Sequence, residues 1–223
     1  MKKVVIIGAG GHGRDVLDVI DACNRAEARY DPLGFVVDPQ YGAADTMIND
    51  KPILGGFDWL ERHAGEIHVT CAVGPSHHRY QLVQRAAALN CRFINLIHPS
   101  VIMTRWITLG EGVVIMAGCI LTNQIQIGSH VHVNVDCTVG HNAVLQDFAT
   151  LSPGVHISGN VTVGAGCFVG TGANIIEKLT LGEWSILGAG SAIVRNVPPN
   201  ATVVGVPGKV IEDRRPGWHL SSR

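Results

Sequence analysis

A chain of 223 residues, 46% of them hydrophobic and 16% charged, has apolar material for one large core or two small ones. Its formal net charge of −1 gives no basic field for nucleic acid, and no apolar run approaches the ~20 residues of a membrane span. Cys23, Cys71, Cys91, Cys119, Cys137 and Cys167 form no C-x-x-C pair, so neither a zinc knuckle nor a dithiol motif is present, and they read as small buried residues of a reducing, cytoplasmic protein.

The start "MKKVVIIGAGGHGRD" is too short in its apolar part for a signal peptide, with Arg14 and Asp15 following directly. Instead "KVVIIG" predicts a buried strand opening onto "GAGGHG", which fits G-x-G-x-x-G with Gly8, Gly10 and Gly13. "RDVLDVIDACN" carries Val16, Leu17, Val19 and Ile20 at helical spacing. "LGFVVD" predicts a second strand ending at Asp38, "DWLERHA" a short helix and "HVTCAVG" a third strand. The helix "SHHRYQLVQRAAALN" and the strand "RFINLIH" close the series. Strands alternating with helices predict a Rossmann-like α/β half-domain with a parallel sheet over residues 1–96. A nicotinamide site needs two mononucleotide halves. Four strands make one half, which suits one nucleotide. The expected ligand contacts are Gly10, Gly11, His12 and Gly13 in the turn, Asp38 at the ribose or base, and Gly74, Pro75 and Ser76 after the third strand.

From residue 97 the period becomes six. Blocks beginning at Ile97, Met103, Leu109, Ile115 and so on to Ile193 run without insertion, each led by Ile, Leu, Val or Met. The fifth position is small or apolar, as at Val113, Cys119, Val131, Cys137, Ala143 and Cys167. This is a hexapeptide β-helix repeat, predicted over 97–223 with its C-terminal tail. Three hexads make one coil, so residues 18 apart are vertical neighbours about 4.8 Å apart, Cys119 and Cys137 among them. Position 3 projects outward and holds His141, whose vertical neighbours are Asn123 and Gly159. His63, His68, His77 and His78 lie in the first domain as ordinary solvated or structural groups, and His130, His132 and His156 lie elsewhere on the coils.

The ending "NVPPNATVVGVPGKVI" resembles that of hexapeptide acyltransferases using acetyl-CoA. Together with "GAGGHGRDVLDVI" and "VNVDCTVGHNAVLQDFATLSPG", it makes the whole chain similar to the NeuD/PglD-type family, which acetylates bacterial sugars, O-antigen sugars among them. The resemblance implies that the β-helix is left-handed, that His141 is the general base and that the Gly159 amide stabilises the oxyanion. It implies sugar contacts by His12 and Asn134. It also implies a homotrimer with acetyl-CoA in the grooves between subunits, held by Gly159, Gly188, Ala189, Val194, Arg195, Pro207 and Lys209, without a metal. The implied substrate is a nucleotide-linked 4-amino sugar, GDP-perosamine or a UDP sugar, with sialic acid O-acetylation as the alternative.

Two departures stand out. Gly208 takes the place of the usual alanine. Asn142 stands where the family commonly carries a carboxylate to orient the histidine. Three explanations stay open: a weaker base, another acceptor, or a carboxylate replaced by design. Among β-helix proteins of other classes, a carbonic anhydrase of the γ type needs zinc-binding histidines five apart, and no two coil histidines have that spacing. A purely structural β-helix is disfavoured by the "GVPGK" ending and the outward His141.

Overall fold

The computed structural model describes residues 1–220. They form two compact units, one of Met1–Gly74 with His78–Pro99, the other of Pro75–His77 with the chain from Ser100 onward.

The first unit runs β1 (Lys2–Ile7), α1 (Gly11–Ala26), β2 (Tyr30–Val36), β3 (Met47–Ile48), β4 (Lys51–Gly55), α2 (Phe57–His63), β5 (His68–Cys71), α3 (Ser76–Ala88) and β6 (Arg92–Phe93). The sheet order is β3-β4-β2-β1-β5-β6, parallel throughout except for the β3–β4 hairpin. Val4–Ile7 at its centre are at most 1% exposed, because a central parallel strand is covered on both faces. Strand order reverses at β1, so the ligand crevice of such a sheet opens outside its carboxyl end, where the glycine turn lies. A Cβ on Gly13 would stand 2.2 Å from the Gly8 carbonyl oxygen. Only glycine lets α1 start this close to the end of β1.

The sheet has six strands where the sequence suggests four. The β3–β4 hairpin is the difference. It turns through Asn49 and Asp50, with φ of 44° and 60°, the two positive values of a type I′ turn. Its strands are short and carry Pro52, which hides any alternation. "RFINLIH" also divides, into β6 and a two-residue strand Leu96–Ile97.

The second unit is a left-handed parallel β-helix. Strands of two residues stack in parallel with a register of 18, as in Ile120↔Thr138, Gln126↔Val144 and His132↔Thr150. First-position residues from Ile115 to Ile193 are each at most 3% exposed. Fifth-position residues stack beside them in columns such as Val131, Ala149, Cys167 and Ser185, where Cys167 Sγ lies 3.2 Å from Ser185 Oγ. Burial pushes the Cys167 thiol up to about 12, so it stays neutral. Cys119 and Cys137 stack as expected, their Sγ atoms meeting the carbonyls of Asn134 (2.9 Å) and Ser152 (3.2 Å).

The corners have a rule of their own. Position 4 of every hexad from Gly112 to Gly190 is left-handed, with φ between 52° and 75°. Six are glycine, and Gln124, His130 and Lys178 are among the rest; three are Asn or Asp, which tolerate this region. Phe148 and Trp184 do not, and both are held by stacking. Phe148 lies against His130 with centroids 5.0 Å apart, and Trp184 against His219 at 3.6 Å. In the last coil the register shortens to 16 (Ile186↔Thr202). Lys209–Asp213 then returns antiparallel along Ala201–Val204, through a turn with a cis Val206–Pro207 bond. Among the described residues no helix is long and apolar enough to cross a membrane.

Candidate active site

One edge of the β-helix gathers the residues expected to do chemistry. Asn123, His141, Gly159, Glu177 and Arg195 occupy successive third positions. The exposed His141 ring lies over the Gly159 Cα, since a Cβ there would be 2.7 Å from both its Cε1 and Nε2. Its Nδ1 meets Asn142 Oδ1 at 2.8 Å, and Asn142 Nδ2 donates to Gln124 Oε1 at 3.2 Å. A carbonyl oxygen only accepts, so in this network His141 carries its proton on Nδ1 and leaves Nε2 as an acceptor.

The edge also offers donors. The stacking ladder uses the backbone N–H of positions 2, 4 and 6, as at Gly140, Asn142 and Val144, but not of position 3. On the adjacent edge three of those spare amides are capped by side chains: Glu111 N by Ser129 Oγ, Ser129 N by Asp147 Oδ1 and Ala165 N by Gln146 Oε1. At Asn123, His141, Gly159 and Glu177 no acceptor caps them among the described residues. The Gly159 N–H beside His141 is therefore free to meet a developing oxyanion.

Not every expected residue comes to this edge. Asn134, Gly188 and Ala189 lie on the next edge, across the sheet face of Thr138–Val139, and Asn134 Nδ2 is engaged with the Leu151 carbonyl at 3.0 Å. Val194 and Arg195 are exposed on the His141 edge, three coils or about 14 Å beyond His141. Pro207 and Lys209 are exposed in the turn that Gly208 N ties to the Ala192 carbonyl (2.8 Å). A Cβ on Gly208 would crowd Ile193 Cδ1 at 2.8 Å and Val203 Cγ1 at 2.9 Å.

In the first unit, Gly10 caps α1 and is exposed with Gly11, so the helix N-terminus opens to solvent. His12 is half-buried in that turn. Burial, then the Arg79 guanidinium, outweigh Asp15 and lower its pKa to about 4. Arg79 is wholly buried and donates to the carbonyls of Val73 (2.9 Å) and Gly74 (2.8 Å), which fixes the loop after β5. Asp38 takes both carboxylate oxygens to Arg85, at 2.8 and 2.9 Å, which holds its carboxyl below the usual range. A ribose or base reaching Asp38 meets an ion pair, not a bare carboxylate. Pro75 and Ser76 belong to the second unit: Pro75 is exposed, and Ser76 is buried, its Oγ 2.9 Å from Thr150 Oγ1.

The neutral His12 has a thermodynamic signature. Below its ordinary pKa of 6.5 the unfolded chain binds a proton there, while the native chain refuses it until about pH 4. Stability therefore drains as pH falls through that window. The melting temperature of the ligand-free protein, measured against His12→Asn, should lose ground steadily from about pH 7 to about pH 4.5. A constant difference would remove this account of His12.

Residues 3–86 match the PglD N-terminal domain family. The UDP-N-acetylbacillosamine N-acetyltransferase of Bacillus subtilis (strain 168) is 37% identical over 127 residues, a match spanning 52% of either protein. The structure of a histidine-to-asparagine mutant of perosamine N-acetyltransferase from Caulobacter crescentus, in complex with CoA and GDP-perosamine, superposes with a TM-score of 0.86. Its identity is 30%, covering 96% of this chain and 98% of that one. The acetyltransferase domain of PglB from Neisseria gonorrhoeae FA1090, in complex with acetyl coenzyme A, gives a TM-score of 0.85 at 32% identity, over 94% and 99%.

Proposed function

This chain belongs to the NeuD/PglD-type family of hexapeptide-repeat sugar acetyltransferases, and we propose that it transfers the acetyl group of acetyl-CoA to the 4-amino group of a nucleotide-linked 4-amino-4,6-dideoxy sugar. The observation that carries this reading is the His141 edge: an exposed imidazole with Nδ1 occupied by Asn142, over a glycine whose amide is uncapped.

In the proposed reaction the sugar ammonium first gives one proton to solvent, and His141 Nε2 takes the second from the nitrogen as it attacks. The amine nitrogen attacks the thioester carbonyl carbon, and the carbonyl oxygen gains negative charge beside the Gly159 N–H. Collapse of the tetrahedral intermediate breaks the C–S bond, and the thiolate takes a proton from the imidazolium. The CoA chain extends from Gly159 toward Arg195 and Lys209, cations suited to phosphates. The site residues are divided between two edges of one prism, so a complete site takes the His141 edge of one protomer and the Asn134 edge of another. A homotrimer with sites in its grooves meets that need. The nucleotide is assigned to the glycine turn, with neutral His12 bonding the sugar or phosphate. The cytoplasm, where acetyl-CoA and nucleotide sugars meet, is the proposed location.

The test is CoA release over a panel of GDP-perosamine, UDP-linked 4-amino sugars, and free and CMP-linked sialic acid. Turnover of the amino sugars, with GDP-perosamine leading, is expected. Preferential turnover of sialic acid would overturn the assignment in favour of O-acetylation.

A further inference from the structure

We propose that Gln124 is a positioning residue that sets the direction of the hydrogen-bond chain holding His141 ready to accept a proton, an inference that rests on His141 as the general base. Gln124 and Asn142 are fourth-position residues one coil apart, both left-handed, with φ of 52° and 60°. Their exposed side chains leave the same edge side by side. Asn142 Nδ2 donates to Gln124 Oε1, and Asn142 Oδ1 faces His141 Nδ1. In that direction the imidazole proton sits on Nδ1 and the Nε2 lone pair points outward.

The same three side chains can also run the other way. With both amides turned over, the Gln124 amide donates to Asn142 Oδ1, the Asn142 amide donates to His141 Nδ1, and the ring proton moves to Nε2. That histidine accepts nothing from a substrate. A carboxylate at 142 is acceptor-only and forbids the reversed chain by itself. An asparagine at 142 permits both directions and passes the choice to position 124. This accounts for how a histidine without a carboxylate partner keeps the productive tautomer.

The experiment varies position 124 by its hydrogen-bonding class. Gln124→Glu accepts only, Gln124→Lys donates only, and Gln124→Met does neither. All keep the Cβ that the left-handed backbone already carries, on an exposed side chain, so none adds backbone strain. With Asn142 in place, Gln124→Lys should lower kcat roughly tenfold and Gln124→Met roughly three- to fivefold, about the worth of one hydrogen bond, with KM for both substrates unchanged. Gln124→Glu should recover the rate. In an Asn142→Asp background the lysine penalty should vanish, although its charge is the same. Histidine-labelled NMR of the ligand-free protein reads the ring directly: Nδ1–H in the wild type and Gln124→Glu, Nε2–H in Gln124→Lys.

Equal losses in both backgrounds would show that Gln124 touches substrate, and would overturn the proposal. So would an unchanged tautomer in Gln124→Lys. If His141→Ala retained full turnover, the general-base reading would fail by itself, and the tautomer measurement would still decide the role of Gln124.

Discussion

His141→Ala should lower kcat by roughly 10²–10⁴ while leaving acetyl-CoA affinity nearly intact. The size of the effect follows from what the side chain does. The attacking nitrogen must shed a proton as it bonds to the thioester carbon, and among the described residues no other imidazole stands on this edge. His130 stacks on Phe148 at a different corner, and His156 Nδ1 is 2.9 Å from Thr138 Oγ1. The exposed His141 ring contributes nothing to the β-helix core, so the variant should melt close to the wild type. Steady-state kinetics with saturating acetyl-CoA, together with calorimetric CoA titration, check both halves. A kcat within threefold of the wild type would leave the edge without its base.

Gly159→Ala should cost roughly 10²-fold in kcat, by a route separate from the oxyanion. Alanine keeps the N–H. Its methyl, however, falls 2.7 Å from His141 Cε1 and Nε2 and 3.2 Å from Cδ2, closer than any settled contact. The ring must swing off the glycine, and a shift near 1 Å in a proton acceptor is enough for a loss of that order. Gly159 is not among the left-handed residues, so alanine fits its backbone and the fold should survive. In a His141→Ala background the same methyl meets no ring and should add little further loss. Additive losses in the double variant would mean that Gly159 acts on the acetyl donor directly, not through the histidine.

The β-helix was legible because every stacked pair obeys one count. Adding 18 to 141 finds Gly159, and the structure puts the ring over that glycine. Subtracting 18 from 142 finds Gln124 just as easily, but the Gly, Asn and Asp that mark other fourth positions as left-handed do not say that the Gln124 and Asn142 side chains leave together. The first unit obeys no such count. Asp38 and Arg85 are 47 residues apart in the chain, and their ion pair follows from how α3 packs on the sheet. In the sequence Arg79 is one more polar residue of the helix "SHHRYQLVQRAAALN"; its complete burial depends on the two carbonyls that the loop after β5 turns toward it. The hairpin through Asn49 and Asp50 left a signal in its turn, and short strands with a proline obscured it.

Stacking in coils of fixed length makes this active edge intolerant of insertions and deletions in a particular way. Each hexad is a third of a turn, so chain length here changes in steps. Loss of one hexad between His141 and Gly159 carries the glycine round to the wrong side of the prism and slides Ala165, with its methyl, beneath the imidazole. Loss of a whole coil restores the edge but brings Glu177 there instead. Only the segments before Gln124 and after Gly159 can lengthen or shorten without disturbing the histidine, and then only in whole coils if Arg195 is to stay in line with it. The two ends of the prism can therefore change in length while the stretch between Gln124 and Gly159 keeps its own.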